Sequence, residues 1–210
     1  MTALVQVLLV ALVRLFVGVR ALSPAELPPP PFVLFANHAS HFDTLVLWAA
    51  LDAERRAMLR PVAAADYWGK TRLHRWVAEQ VLGALLIARK REDRTDDPVA
   101  SMLTVLDGGK AILIFPEGTR SLDGRIAPFK AGLFQLATQR PQVPLVPVYL
   151  QNPGRILPKG EILPVPFLCS IRVGEPLSRE SEETKDAFVA RARQAVITLA
   201  GDAYEEEPST

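Results

Sequence analysis

Phe32-Val33-Leu34-Phe35-Ala36-Asn37-His38-Ala39-Ser40-His41-Phe42-Asp43-Thr44-Leu45-Val46-Leu47 joins three kinds of chain in one short stretch. Its first five residues are wholly apolar and of strand length, the pattern of a strand buried on both faces. A polar cluster then interrupts, and apolar residues resume in a pattern that predicts a helix over 44–51. A strand that passes through a short polar loop into a helix is the building unit of layered α/β sheets.

The same order repeats on both sides of this stretch. Further strands are predicted over 58–63, 85–88, 111–115, 145–150 and 167–173, and further helices over 71–82, 98–106, 129–138 and 182–200. In the last, Phe188, Ala192, Ala195, Val196 and Leu199 form one apolar stripe at helical spacing. The expected fold is therefore α/β: a single layered domain over 32–202, with a mixed, largely parallel sheet flanked by helices. Before it lies a stiff proline-rich connector over 23–31, and after it an acidic tail over 203–210.

The first 22 residues form a predicted membrane-associating helix. From Ala3 to Val19 only Gln6, Arg14 and Gly18 interrupt the apolar run, which is marginal for the roughly 20 residues a bilayer crossing needs. No base precedes the run, so a secretory signal is a poor match. At about 100° per residue, Thr2, Gln6, Arg14 and Arg20 share an arc with Val10, Val13 and Val17, and the leucines lie opposite. The expectation is a helix in the membrane interface with its arginines snorkelling toward phosphates. Packing on the protein's own core is the alternative.

The 210 residues carry a formal net charge of +1, which gives no sign of a polyanionic partner, and nucleic acid is not expected. The distribution is less even. From Glu54 to Arg75, six bases (Arg55, Arg56, Arg60, Lys70, Arg72 and Arg75) face only Glu54 and Asp66. That segment reads either as a solvated face or as one turned to anionic headgroups. Cys169 is the single cysteine; it excludes an intramolecular disulfide and reads as a small buried thiol.

Two polar loops each follow a predicted strand, where the ligand crevice of an α/β sheet usually lies. One is Asn37 to Asp43. The other is Pro116-Glu117-Gly118-Thr119-Arg120-Ser121. A neutral imidazole at His38 can take a hydroxyl proton, and a carboxylate at Asp43 can hold the ring's tautomer. The spacing of five is wrong for one helix face, but a turn into the following helix can fold Asp43 back onto the ring. Ser40-x-x-Asp43 also fits a helix capping box. His38 and His41 alone are weak as metal ligands, and no metal is expected. Arg120 offers a planar fork and Gly118 a close backbone approach, both suited to an anion; Arg89, Lys90 and Arg91 follow another strand and can converge on it. Motifs of serine hydrolases, P-loop enzymes, zincins and dinucleotide enzymes are missing.

At these residues the chain resembles the glycerolipid acyltransferase family. That family's H-x-x-x-x-D block looks like His38 to Asp43, its F-P-E-G-T-R-S block matches Phe115 to Ser121, and a late proline block is similar to Val143-Pro144-Leu145-Val146-Pro147-Val148. The resemblance, over roughly 32–173, implies that His38 is the catalytic base and Asp43 its partner. It implies that Glu117, Gly118 and Arg120, with Thr119 between them, position the acceptor; Asn37, Ser40 and Lys130 are further candidates. The implied donor is acyl-CoA or acyl carrier protein, with no metal and no organic cofactor. The implied partners are a lyso-lipid acceptor and a membrane surface on its cytoplasmic face. The expected reaction is direct transfer of a fatty acyl group to the hydroxyl of a lysophospholipid such as 1-acylglycerol-3-phosphate, without an acyl-enzyme.

One block departs from the family pattern. Where G-x-x-F-I-D-R is usual, this chain has Gly83-Ala84-Leu85-Leu86-Ile87-Ala88-Arg89. Arg89 keeps the residue implied to bind the acceptor phosphate, whereas Ala88 replaces an acid. Acylation of a lyso-glycolipid or lyso-aminolipid, phospholipid transacylation and thioester hydrolysis therefore stand as alternatives, with a non-catalytic membrane-binding module as the reading from another class.

Overall fold

In the computed structural model the described residues are 2–19, 22, 27–40, 42–88, 97–121, 124–151 and 169–201. Six strands form one sheet: β1 (Val33–Ala36), β2 (Leu59–Ala64), β3 (Leu85–Ile87), β4 (Ala111–Ile114), β5 (Leu145–Gln151) and β6 (Ser170–Val173). Their spatial order is β3-β2-β4-β1-β5-β6. All pairs are parallel except β5 with β6, which is antiparallel. The expected α/β class and mixed, largely parallel sheet describe this architecture.

β1 occupies the middle, with Val33 beside Ile112 on one flank and Leu145 on the other. Alternate side chains of a strand point to opposite faces, so β1 serves two cores at once. Leu34 and Ala36 join Leu113, Val146 and Trp48 on one side. Val33 and Phe35 join Ile112, Leu133 and Phe188 on the other. Burial on both faces explains why this strand carries no polar residue.

The first core is closed by α1 (Thr2–Val17) and α2 (Asp43–Ala50), the second by α6 (Pro98–Asp107), α7 (Gly132–Gln139) and α8 (Lys185–Ala200). Three short elements went beyond the sequence reading. They are α3 (Ala53–Met58), α4 (Ala65–Trp68), and a π-helical turn (Val77–Val81) that continues α5 (Arg72–Trp76). Helix α7 starts three residues later than expected, at Gly132, because the loop before it is held by Lys130 N–H donating to Pro116 O at 2.9 Å.

Helix α1 corrects the expectation about its arginine. It ends at Val17, where Gly18 adopts φ +57° and its N–H closes on Arg14 O at 3.1 Å. Arg14 does not reach outward to phosphates: its Nε donates to Ala49 O at 2.9 Å and its Nη2 to Leu51 O at 3.3 Å. The carbonyls at the end of α2 lack intrahelical partners and carry partial negative charge, so a guanidinium is well placed there. Gln6 likewise turns inward, donating to Val81 O at 2.7 Å. The arc holding the polar residues, with Val10, Val13 and Val17, thus packs on the protein, and the leucine face looks out: Leu4, Val7, Leu8, Leu12 and Leu15 are all exposed. Among the described residues no helix is long and apolar enough to cross a membrane.

Candidate active site

Parallel strands bring their carboxyl ends to one edge of the sheet. The loops leaving β1 and β4, which are neighbours, therefore emerge side by side, about 4.8 Å apart. Asn37 anchors the first. Its side-chain amide donates to Leu150 O at 3.0 Å and accepts from Leu150 N at 2.8 Å, so it pairs with β5 as a peptide group would and launches the loop at a set angle.

His38 is then held on every side but one. Its backbone N–H donates to Glu117 Oε1 at 2.7 Å, and its carbonyl accepts from Ser121 N–H at 2.8 Å. The ring stacks on Phe115 with centroids 4.2 Å apart. Its Nδ1 lies 2.7 Å from Asp43 Oδ2. With Nδ1–H donating to the carboxylate, Nε2 is the nitrogen that keeps its lone pair. The imidazole side chain is 21 % exposed, whereas the carboxylate beneath it is 0 % exposed.

Asp43 performs one of the two tasks that its position in the sequence allowed: it meets the His38 ring but does not cap α2. As the first residue of α2, it accepts at Oδ2 from Ala39 N–H at 2.7 Å and Ser40 N–H at 2.9 Å. Both donors lie in the loop before the helix, whose N-cap is Phe42 without a side-chain hydrogen bond, so the capping box expected of Ser40 and Asp43 does not form. Ser40 Oγ accepts from Phe42 N–H at 3.2 Å. The helix N-terminus favours the negative charge, and the same oxygen meets the imidazole. Asp43 Oδ1 is buried without a hydrogen-bond partner among the described residues. Burial, and secondarily the Asp43 charge, push the Cys169 thiol up to about 12, so Cys169 is an inert neighbour of this carboxylate.

The second loop divides into an inward and an outward half. Glu117 is 2 % exposed, and its two oxygens accept from His38 N–H and from Ala127 N–H at 2.9 Å. Burial raises its pKa, opposed by those two backbone hydrogen bonds. Glu117 thus faces the frame of the His38 loop, not the open side where an acceptor would sit. Gly118 has φ +70°, and a Cβ there would meet the Lys130 side chain, its Cδ at 3.0 Å. The backbone conformation therefore favours glycine, and the Lys130 side chain lies over the space its missing Cβ leaves. Gly118, Thr119, Arg120 and Lys130 are all exposed, so two cations border the loop on its open side.

Farther along the same edge a depression of about 200 Å³ is lined by Ala65, Leu86, Ile87, Ala88, Asp97 and Ser101. Ala88, at the departure from the family block, forms part of its wall. Arg89, Lys90, Arg91 and His41 lie outside the described residues, as does the tail. Among the described residues no group of three His, Cys, Asp or Glu side chains could hold a metal. Phe115 was read from sequence as the end of a strand and the start of the F-P-E-G-T-R-S block, neither of which signals its stacking on His38.

The comparisons with known proteins agree with this fold. Solved structures include the 1-acyl-sn-glycerophosphate (LPA) acyltransferase PlsC from Thermotoga maritima, which matches at a TM-score of 0.67 with 19 % identity, over 92 % of this chain and 79 % of that one. The human 1-acyl-sn-glycerol-3-phosphate acyltransferase alpha is 32 % identical over 180 residues, 82 % of this chain and 59 % of its own length. The 1-acyl-sn-glycerol-3-phosphate acyltransferase of Saccharomyces cerevisiae is 26 % identical over 191 residues, 85 % of this chain and 58 % of its own. The chain thus spans a little over half the length of these relatives. The profile of the family described as Acyltransferase matches residues 19–151, a stretch that holds both loops. The chain belongs to the acyltransferase family.

Proposed function

We propose that this protein moves a fatty acyl group from the thioester of coenzyme A or acyl carrier protein to the hydroxyl of a lysophospholipid, 1-acylglycerol-3-phosphate being the first choice. The observation that carries this reading is the 2.7 Å contact between His38 Nδ1 and Asp43 Oδ2 at the open edge of the sheet. The printed activity of the human and yeast relatives supports the choice of acceptor.

The reaction runs in one ternary complex. His38 Nε2 takes the proton of the acceptor hydroxyl as its oxygen attacks the thioester carbonyl carbon. Asp43 stabilises the imidazolium that forms. The tetrahedral intermediate collapses with cleavage of the C–S bond, and the departing sulfur takes the proton back from His38. The products are an ester and a free thiol, and no group on the protein is acylated. Glu117 positions the base through its backbone, while Arg120 and Lys130 hold the acceptor phosphate. Arg89 is assigned to the same phosphate by family resemblance.

The membrane surface, on its cytoplasmic side, is where we place the reaction. The outward leucine face of α1 supports this, since a row of exposed leucines suits insertion into a headgroup layer. The test is direct: supply the purified protein with isotope-labelled acyl-CoA and lysophosphatidic acid, then identify labelled lipids by mass spectrometry. The expected product is phosphatidic acid with the label esterified at the free hydroxyl. Labelled free fatty acid alone would instead make the protein a thioester hydrolase.

A further inference from the structure

The structure separates the basic segment 54–75 into two halves with different fates. Arg55 is paired with Asp52 at 2.9 Å. Arg56 donates to Leu51 O and lies over the Trp48 ring. Arg60 donates to Ala57 O and Leu59 O, and its guanidinium lies under Gly83. Those three bases serve the fold. Lys70, Arg72 and Arg75 do not; they are exposed on the corner formed by α4 and the start of α5.

That corner has the character of a membrane contact. Every residue from Gly69 to Arg75 is exposed, so the first turn of α5 stands clear of the body. At its tip Leu73 is 67 % exposed, an apolar residue set among bases. Tyr67 is exposed beside it, stacked with His74 at 6.1 Å and approached by Lys70 at 5.9 Å. Aromatic and basic groups around a protruding leucine match an anionic headgroup layer over an apolar interior. The nearby acids are Asp66 and Glu79, and Glu79 offsets Arg75 at 3.6 Å.

Its place in the fold gives the corner a purpose. Helix α4 begins at Ala65, directly after the carboxyl end of β2. β2 lies two strands from β1, so the corner starts about 10 Å along the sheet edge from the His38 loop. The helix that carries Leu73 ends at Val81, whose carbonyl receives Gln6 of α1. Eight residues at 1.5 Å each put Leu73 about 12 Å from that junction. The corner thus lies between the crevice edge and the helix that presents the leucine face, which meets it through the inward-turned Gln6.

We propose that Tyr67, Lys70, Arg72, Leu73 and Arg75 form a second, anion-selective contact with the lipid bilayer. It turns the crevice mouth toward the surface that α1 enters, so that a lipid acceptor reaches His38 without leaving the membrane. The inference rests on the acyltransferase reading for its purpose but not for its test. Binding of the full-length protein is measured by flotation with vesicles of phosphatidylcholine alone and with one third phosphatidylglycerol, for the wild type and for Lys70→Gln/Arg72→Gln/Arg75→Gln. At about fivefold per base, the triple variant should lose roughly a hundredfold in affinity for the anionic vesicles and almost nothing for the neutral ones. Leu73→Ser alone should weaken binding to both. Transfer between short-chain soluble substrates should be unchanged. Equal binding of wild type and triple variant to anionic vesicles overturns the proposal. So does a defect seen only with acyl carrier protein as donor, which would make the corner a protein-docking site. A wild type that shows the vesicle difference but transfers no acyl group would instead overturn the proposed activity and leave the contact standing.

Discussion

Two regions of this molecule invert the usual partition of polar and apolar groups in opposite ways. At the carboxyl edge of the sheet, the polar side chains Asn37, Ser40, Asp43 and Glu117 are buried. On α1 and at the α4–α5 corner, the large apolar side chains left in the open are mostly leucines, Leu15 at 79 % exposed being the extreme. Burying a carboxylate is costly unless hydrogen bonds replace its water, and exposing a row of leucines forgoes burial free energy. Each region carries a cost that the fold alone does not require. The buried carboxylates hold the His38 loop in one arrangement, and the exposed leucines form the face that the proposed function turns toward a membrane.

Asp43→Asn should give the largest effect. The substitution keeps the shape but removes the charge that orients and stabilises the imidazolium. By analogy with triad enzymes, turnover should fall by about 10³–10⁴-fold, with the acceptor KM little changed. A loss of less than tenfold would mean that the buried region is built for stability alone. Next comes the leucine face. Leu8→Ser/Leu12→Ser/Leu15→Ser should reduce partition onto neutral vesicles by about tenfold per leucine, from roughly 1.5 kcal/mol of burial each. The thermal midpoint should stay in place, because these residues are exposed in the folded protein. A large fall in the midpoint would show that the face packs within the protein. The smallest effect is expected at Glu117→Gln. An amide cannot accept from both His38 N–H and Ala127 N–H through its two ends, so one buried donor loses its partner, costing about 1–3 kcal/mol. Denaturant titration reads that loss directly. If stability is unchanged, the frame around His38 does not depend on this carboxylate.

The two regions were also unequally legible in the sequence. The sheet could be read almost strand by strand, because β1, β4 and β5 are buried on both faces and appear as unbroken apolar runs. The contact between His38 and Asp43 was open to inference from a five-residue spacing across a turn. The capping box was a competing reading of the same carboxylate, and the structure decides against it. The oxygen that meets His38 also ties down the loop through Ala39 and Ser40 N–H, while α2 starts without a side-chain cap. Helix α1 was harder to orient. Both of its arcs contain branched apolar residues, so periodicity marks two faces without saying which one the protein covers. Arg14 looked like a group bound for headgroup phosphates, and only the carbonyls that α2 leaves without helical partners explain why it turns inward. Glu117 posed a related problem. Its place in a motif does not tell whether a carboxylate faces the substrate or the backbone of the neighbouring loop, since that depends on which strand lies alongside.

The measurement that bears most directly on the chemistry is the turnover of His38→Ala, with labelled acyl thioester and lysophosphatidic acid, on protein whose melting curve matches the wild type. A general base contributes about 10²–10⁴-fold, so ester formation should fall by at least a hundredfold while both substrates still bind. A folded His38→Ala protein that forms the ester at the wild-type rate would contradict the assignment of the base, and with it the role given to Asp43.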